Sequence, residues 1–313
     1  MTTDLRSTPN PNMAILNGIL NVDKPTGITS MDVVRRVKRA SDQERIGHGG
    51  TLDPMATGVI PICLGQATRM MEYLVSGTKQ YKAQITFGVE TTTYDKLGEI
   101  IQTKKVKQIT YKNLLDITDR FTGEIEQIPP MFSALKHKGK RLYELARKGI
   151  TVERESRKVK ILNISILEWN PPHLSVEITC GKGFYVRSFA HDLGQLLGCG
   201  GHLSELVRTK NGAFTIQDAM PLIEVETRLR TNNLKSILKP IDFAIKYMPT
   251  AIVDAQTEDM IRNGKPVSHN IHVFDTDAGY NCRVYGTDGT FLAIMSYESE
   301  LNHWQPNRVF SLR

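Results

Sequence analysis

The chain has 313 residues, a length that predicts two domains, each with a buried core. Its 40 lysines and arginines against 33 acidic residues give a net charge of +7, and 40% hydrophobic with 23% charged residues exclude a disordered or fibrous chain. No apolar stretch approaches the ~18 residues of a membrane span, which excludes an integral membrane protein. Residues 1–12 are polar and lack the apolar core of a secretion signal, so we expect a flexible tail and a cytoplasmic protein.

Cysteine and histidine spacing predicts neither disulfides nor a metal site. The four cysteines lie far apart, with no Cys-x-x-Cys pair, and the eight histidines show no His-Glu-x-x-His spacing. Free thiols in a reducing compartment fit this pattern better than a disulfide scaffold or a thiolate zinc site.

The apolar pattern of the first 247 residues alternates between strand and helix. The predicted strands or buried runs are 18–22, 59–64, 80–88, 174–180 and 184–187. Helices are predicted at 111–121, 142–148 and 236–247, and two more are predicted to follow the Thr29–Asp32 cap and Arg187. In 80–88, Tyr81, Ala83, Ile85 and Phe87 share the apolar face. Without a strict βαβ rhythm, this order predicts an α+β domain with a mixed sheet.

Two of the predicted helices have assigned apolar faces. Residues expected to point inward are Leu114, Leu115 and Ile117 in the helix at 111–121, and Ala190, Leu193, Leu196 and Leu197 in the helix that ends near Gly198.

The remainder of the chain is rich in predicted strands. A boundary is expected at Met248–Pro249, followed by a hairpin of 281–286 and 290–296 around a Thr-Asp-Gly turn. A last strand at 308–312 is expected to close a small barrel.

Basic residues are concentrated between 136 and 160, where ten basic and three acidic residues account for the whole net charge. A local positive field of this kind is typical of polyanion binding, and the prolines and Phe132 just upstream would stiffen a loop and offer a face for base stacking. A solvated surface with scattered lysines is the alternative interpretation.

The segment 46–58 (IGHGGTLDPMATG) has the composition of a functional loop. Its glycines permit tight turns and close approach, and Pro54 restricts Asp53 to extended conformations, which fixes the direction of the carboxylate. Phosphate-loop, dinucleotide-binding and nucleophile-elbow motifs are absent from the sequence. A surface turn with an aspartate cap is the alternative.

Several blocks appear together and in a fixed order along the chain: Gly18–Gly27, Gly47–Gly58, Lys79–Lys82, Ile128–Lys136, Lys182–Ser188 and Cys199–Leu203. On these blocks the sequence resembles the TruB family of tRNA pseudouridine-55 synthases. Gly49 and Phe184 depart from the residues common in that family. The resemblance implies a pseudouridine synthase fold, with a mixed, largely antiparallel sheet flanked by helices (13–247), and a C-terminal PUA-like β-barrel that binds RNA (248–313).

The resemblance also implies a reaction and a set of residues. A uridine in the T loop of tRNA would be converted to pseudouridine by a monomer that uses no metal or cofactor. Asp53 would be the essential carboxylate, Arg187 its partner, and Tyr81 the ring that stacks on and orients the uracil. The uracil pocket would be completed by Tyr185 and Leu206, with His48 where the extruded nucleotide leaves the stack.

The chemistry is compatible with one carboxylate. Glycosidases use two, but uracil is a better leaving group than an alkoxide because its anion is delocalised over two carbonyls. Asp53 must stay ionised in an apolar pocket, and a bidentate Arg187 would oppose the effect of desolvation. Attack on the sugar, attack on the base ring and removal of a sugar proton by Asp53 all stay open.

Each residue taken alone also fits a structural role. Tyr81 and Leu206 could be core residues, Arg187 a structural ion pair, His48 a hydrogen-bonding partner within its loop and Lys24 a support for the turn. A non-catalytic tRNA-binding or tRNA-folding protein on the same scaffold is the alternative function. An RNA methyltransferase is a third, but no glycine motif supplies a methyl-donor site.

Overall fold

The computed structural model describes residues 15–106, 108–234, 236–268, 271, 273–274 and 281–311. The predicted tail at 1–12 lies outside this part of the chain. The described residues include no helix long and apolar enough to cross a membrane.

A mixed sheet forms the first and larger part of the molecule. In the described residues its strands are β1 (Gly18–Lys24), β2 (Ile46–His48), β3 (Thr57–Leu64), β4 (Lys79–Phe87), β7 (Gly123–Gln127), β10 (Arg157–Asn170), β11 (His173–Cys180), β12 (Gly201–Asn211), β13 (Phe214–Thr215), β14 (Met220–Pro221) and β15 (Leu238–Lys239). Two small hairpins accompany it: β5 (Val89–Thr91) with β6 (Ile100–Thr103), and β8 (Lys136–His137) with β9 (Lys140–Arg141).

The strand order is β14-β1-β3-β12-β4-β11-β10-β7. Neighbours are antiparallel except β1 with β14 and β3 with β12, as the prediction of a largely antiparallel sheet requires. The predicted alternation in β4 is confirmed, because Ala83, Ile85 and Phe87 are buried and Tyr81 is half-buried against the same core.

The helices of the described chain are α1 (Ser30–Ser41), α2 (Met71–Ser76), α3 (Tyr111–Asp119), α4 (Leu142–Ala146), α5 (Val186–Leu196), α6 (Leu222–Arg230) and α7 (Ala255–Arg262), with 3₁₀ helices at Gly65–Met70 and Ile241–Ile245. The predicted cap of α1 is present: the Asp32 amide donates to Thr29 Oγ1, and the Thr29 amide donates to the Asp32 carboxylate. Helices α1, α3, α5 and α6 contribute to the core of the large sheet.

Three details of the predicted helices are wrong. The segment 236–247 forms β15 and a short 3₁₀ helix, because Pro240 interrupts the helical hydrogen bonding between them. Leu115 and Leu196 face solvent with 39% and 53% exposure, so the apolar faces of α3 and α5 are narrower than their spacing indicated.

The second sheet is curled and contains β16 (Thr250–Val253), β17 (Val267–Ser268), β18 (Val273–Phe274), β19 (Asn281–Gly286), β20 (Phe291–Glu298) and β21 (His303–Val309). The predicted hairpin is β19 with β20. The expected last strand begins five residues earlier than 308, and Leu312 lies outside the described residues.

A shared apolar cluster joins the two sheets. Phe291, Ile294 and Phe310 pack in one cluster with Ile19 and Val59 of the large sheet. This cluster and polar contacts such as the pair of Arg308 with Glu72 attach the second sheet to the first.

Candidate active site

Asp53 and Arg187 form a bidentate pair, as predicted. The Arg187 Nε donates to Asp53 Oδ2 at 2.8 Å, and its Nη2 donates to Oδ1 at 3.0 Å. The guanidinium is 4% exposed and the carboxylate 30% exposed, so the carboxylate is the member of the pair that a ligand can reach. A planar fork against a carboxylate restricts its rotation.

Arg187 also connects two other segments, at 93–95 and at Phe132, to the candidate catalytic loop, residues 46–58. Its Nη1 donates to the Thr93 carbonyl at 3.2 Å, and its Nη2 donates to the Phe132 carbonyl at 2.8 Å. A second carboxylate, the buried Asp95, lies 3.7 Å from its Nε and is itself held by the Thr93 hydroxyl. One positive charge therefore faces two carboxylates, of which only Asp53 is accessible.

Arg187 lies in the first turn of α5, and the predicted strand at 184–187 is wrong. The Gln127 side chain donates to the Tyr185 carbonyl and accepts from the Tyr185 amide. It thereby satisfies the backbone of Tyr185, and the helix begins at the next residue. This start directs the Arg187 side chain from the buried side of the helix toward Asp53.

Tyr81 lies on the face of the large sheet that meets the candidate catalytic loop. Its neighbours across the sheet are Ile178 of β11 and Arg208 of β12. Burial raises the pKa of the Tyr81 hydroxyl, and the charge of Arg208 opposes that shift. The hydroxyl is therefore protonated at neutral pH, and the ring is half-buried.

The remaining predicted pocket residues lie around this face. Leu206 is buried in the same core as Leu52, the residue before Asp53, and pairs with Ala83 beside Tyr81. Burial raises the pKa of Tyr185, which responds to the charges of both Arg187 and Asp53.

His48 makes a hydrogen bond within its own loop. The Gly50 amide donates to His48 Nδ1 at 3.4 Å, so Nδ1 is unprotonated and Nε2 carries the proton. Burial, followed by the charge of Arg208, lowers the pKa of the imidazole, which is neutral at pH 7.

Side chains and one backbone amide hold the backbone of the candidate catalytic loop through hydrogen bonds to its carbonyls. The Asn211 side chain donates to the Gly49 carbonyl, and the Arg208 side chain donates to those of Gly50 and Thr51. The Ser30 hydroxyl donates to the Leu52 carbonyl, and the Thr26 hydroxyl to that of Met55. The Pro54 carbonyl accepts from the Lys24 ammonium and from the Gly27 amide. Lys24 is fully buried, and its ammonium also donates to the Pro25 and Ile28 carbonyls, so it supports the turn. Burial lowers the pKa of Lys24 to about 8.

Comparison with known proteins identifies the family of this chain. Residues 38–186 match the TruB family pseudouridylate synthase N-terminal domain, and residues 187–246 match the tRNA pseudouridylate synthase B C-terminal domain. The tRNA pseudouridine synthase B of Dehalococcoides mccartyi is 44% identical over 94% of this chain and 97% of its own, and that of Haemophilus influenzae is 36% identical over 93% of each. The chain belongs to the TruB family.

Solved structures confirm the fold class of this TruB-family chain. A crystal structure of a Cbf5-Nop10-Gar1 complex aligns with a TM-score of 0.74 at 23% identity, covering 98% of this chain and 92% of that one. An archaeal box H/ACA sRNP Nop10-Cbf5 complex aligns with a TM-score of 0.71 at 22% identity, covering 98% and 94%. The chain is a pseudouridine synthase, an isomerase, and its curled second sheet is consistent with a PUA-like unit.

Sequence reasoning did not identify two groups of this TruB-family site. Asp95 lies in the run Thr-Thr-Thr-Tyr-Asp, which has the composition of a polar turn. Arg208 follows Leu206 at the strand spacing of two, and a charged residue at a buried position of an apolar strand is the signal that could have identified it.

The basic segment 136–160 has the exposure expected of a binding surface. Nine of its ten basic side chains are exposed, and the half-buried Arg154 donates to the Pro129 carbonyl. The segment adjoins the site, since Arg157 of β10 pairs with Gln127 of β7, whose side chain forms hydrogen bonds with the Tyr185 backbone. The bond from Arg187 to the Phe132 carbonyl connects the residues just before the segment to the partner of the Asp53 carboxylate.

Proposed function

We propose that the chain is a cytoplasmic, monomeric tRNA pseudouridine synthase that acts on uridine 55 of the T loop, with Asp53 as its essential carboxylate. The observation that carries the proposal is the bidentate pair of a reachable Asp53 with a buried Arg187. The half-buried Tyr81 is the cross-strand neighbour of Arg208, which holds the loop that carries Asp53. The names of the TruB relatives support tRNA as the substrate.

The reaction is an isomerisation that balances without a second substrate. The bond from N1 of uracil to C1′ of the ribose breaks, the base rotates, and a bond from C5 to C1′ forms. The hydrogen on C5 leaves as a proton, and N1 gains one. Asp53 serves at the sugar carbon, at the base ring or at a sugar proton, and the two hydrogen bonds from Arg187 orient it in each case.

The other site residues position the base. The Tyr81 ring would stack on the uracil, and its protonated hydroxyl would donate a hydrogen bond. Leu206 and Tyr185 would enclose the base, which excludes water while the glycosidic bond is broken. The neutral His48 would contact the nucleotide where it leaves the stack.

Binding of the tRNA would offset the cost of base flipping. Extrusion of a stacked base costs a few kcal/mol. The exposed cations of 136–160 lie beside the site and can contact phosphates of the T arm. The hydrogen bond from Arg187 to the Phe132 carbonyl would fix the position of this surface relative to the Asp53 carboxylate.

The test is to map pseudouridine in tRNA from cells that lack this protein. We expect loss of pseudouridine 55, restoration by the wild-type chain, and no restoration by Asp53→Asn. Asp242→Asn is the matched control, because Asp242 is also a partly buried aspartate beside an arginine, in this case Arg283, away from the loop. Restoration by Asp53→Asn would remove Asp53 from the mechanism, and an unchanged tRNA profile would contradict the assigned substrate.

A further inference from the structure

Arg208 is a buried guanidinium that makes its hydrogen bonds with backbone carbonyls. It is 1% exposed, and its donors reach the carbonyls of Val59 at 2.7 Å, Thr51 at 3.2 Å and Gly50 at 3.1 Å. Within the described residues no carboxylate forms an ion pair with it. Burial of a guanidinium without a carboxylate partner is unfavourable, and here the three carbonyls satisfy its donors.

Asn211 holds the backbone of the neighbouring loop residue, Gly49, in the same way. Its Nδ2 donates to the Gly49 carbonyl at 2.9 Å, and the side chain is fully buried. A bulge between positions 208 and 210 of β12 adds one residue to that strand. Because of this bulge, Arg208 and Asn211 point to the same face although they are three residues apart.

The local backbone is arranged so that β12 approaches the loop closely. Gly58 has a φ of +99°, and a Cβ at that position would lie 2.3 Å from the Arg208 carbonyl oxygen. A Cβ at Gly50 would lie 3.6 Å from Nη1 of Arg208 and from Nδ2 of Asn211, so both donors lie directly beneath that glycine. A side chain at Gly58 would therefore separate the strand from the loop that it supports.

The same strand reaches the other groups of the site. Arg208 is the direct cross-strand neighbour of Tyr81, and Leu206 lies two residues earlier on the same face. The Thr51 carbonyl that Arg208 holds is two residues before Asp53. Strand β12 is thus the common support for the catalytic loop, the tyrosine and the pocket leucine.

We propose that Arg208, assisted by Asn211, is a positioning residue for the isomerisation: it fixes the backbone of residues 49–51 from below and so sets the position of Asp53 relative to Tyr81. The proposal rests on the proposed function. It assigns Arg208 no contact with the substrate. It predicts that the three-oxygen fork, and not the positive charge alone, is what the reaction requires.

The experiment compares Arg208→Lys, Arg208→Met and Asn211→Leu with wild type, using a tRNA transcript. Single-turnover rate, tRNA affinity and thermal unfolding are measured, with rates taken where every variant is folded. Arg283→Lys is the matched control. Arg283 lies in the second sheet, is also largely buried, and donates to the Met248 carbonyl.

We expect both Arg208 variants to lose about 100-fold in rate with tRNA affinity within about twofold of wild type, since displacement of a catalytic group by ~1 Å has that effect. Asn211→Leu should lose about tenfold, as it releases one carbonyl. Arg283→Lys should keep the wild-type rate. If the Arg208 variants do not fold, Asn211→Leu alone tests the proposal.

Two outcomes would overturn the positioning role. A near-normal rate in Arg208→Lys would show that the charge is sufficient, and a loss that only follows the unfolded fraction would show a structural role. A wild-type chain that forms no pseudouridine would instead contradict the proposed function.

Discussion

The catalytic loop and the basic segment are built in opposite ways. In residues 49–55 most backbone carbonyls are occupied by buried donors, including Arg208, Lys24 and Asn211. In residues 136–160 nine of ten basic side chains are exposed. A reacting carboxylate needs a fixed position, whereas contacts to phosphates need positive charge spread over an area. We therefore expect changes in the loop to affect the reaction rate and changes in the basic segment to affect the affinity for tRNA.

The largest effect predicted from this comparison concerns Arg187. Arg187→Lys should lower the single-turnover rate by about 100-fold to 1,000-fold, because an ammonium cannot make both bonds to Asp53 and reach the Thr93 and Phe132 carbonyls. Affinity for tRNA should change little. The measurement is rate and affinity on the same transcript, with Arg36→Lys, which alters the distant pair with Glu226, as control. A near-normal rate would refute the need for bidentate pairing.

A smaller effect, on affinity instead of rate, is predicted for the basic segment. Replacement of Lys138, Lys140 and Lys148 by glutamine should weaken tRNA binding about tenfold and reduce the slope of log affinity against log salt by about 2 to 3. The rate of pseudouridine formation at saturating tRNA should stay at the wild-type value. The matched control is removal of three exposed cations from α1, at positions 35, 38 and 39. An unchanged salt slope would place the binding surface elsewhere.

The smallest predicted effect is on stability and its dependence on pH. Burial raises the pKa of Asp192 on α5 to about 6, above its value in the unfolded chain. The folded state therefore binds the proton more tightly, so the contribution of Asp192 to stability is full below about pH 4 and is lost as the pH rises through about 6. Asp192→Asn should raise the melting temperature at pH 7, and the difference should vanish near pH 4. An equal gain at both pH values would contradict this linkage.

The sequence predicted the parts of the fold that depend on local pattern. The strand at Tyr81 and the cap at Thr29 agree with the structure. The pair of Asp53 with Arg187 is also present, but it was implied by the resemblance to the TruB family and not by local pattern. The start of α5 was missed because a distant side chain, Gln127, satisfies the backbone of Tyr185.

The support beneath the loop was missed for a similar reason. Arg208 and Asn211 reach the loop only because a bulge and two strand pairings bring residues about 150 apart in the chain together. The spacing of apolar and polar residues along the chain does not predict such long-range contacts. The sequence therefore identified the conspicuous residues of the loop and the supporting Lys24, but not Arg208 and Asn211.

The most direct test of the central claim is release of tritium from a tRNA transcript labelled at C5 of its uridines, incubated with the purified chain and no added co-substrate. The account predicts release equivalent to one uridine per tRNA, at position 55, by wild type, and none by Asp53→Asn at equal tRNA occupancy. Equal release by both proteins, or no release by wild type while the tRNA is bound, would contradict it.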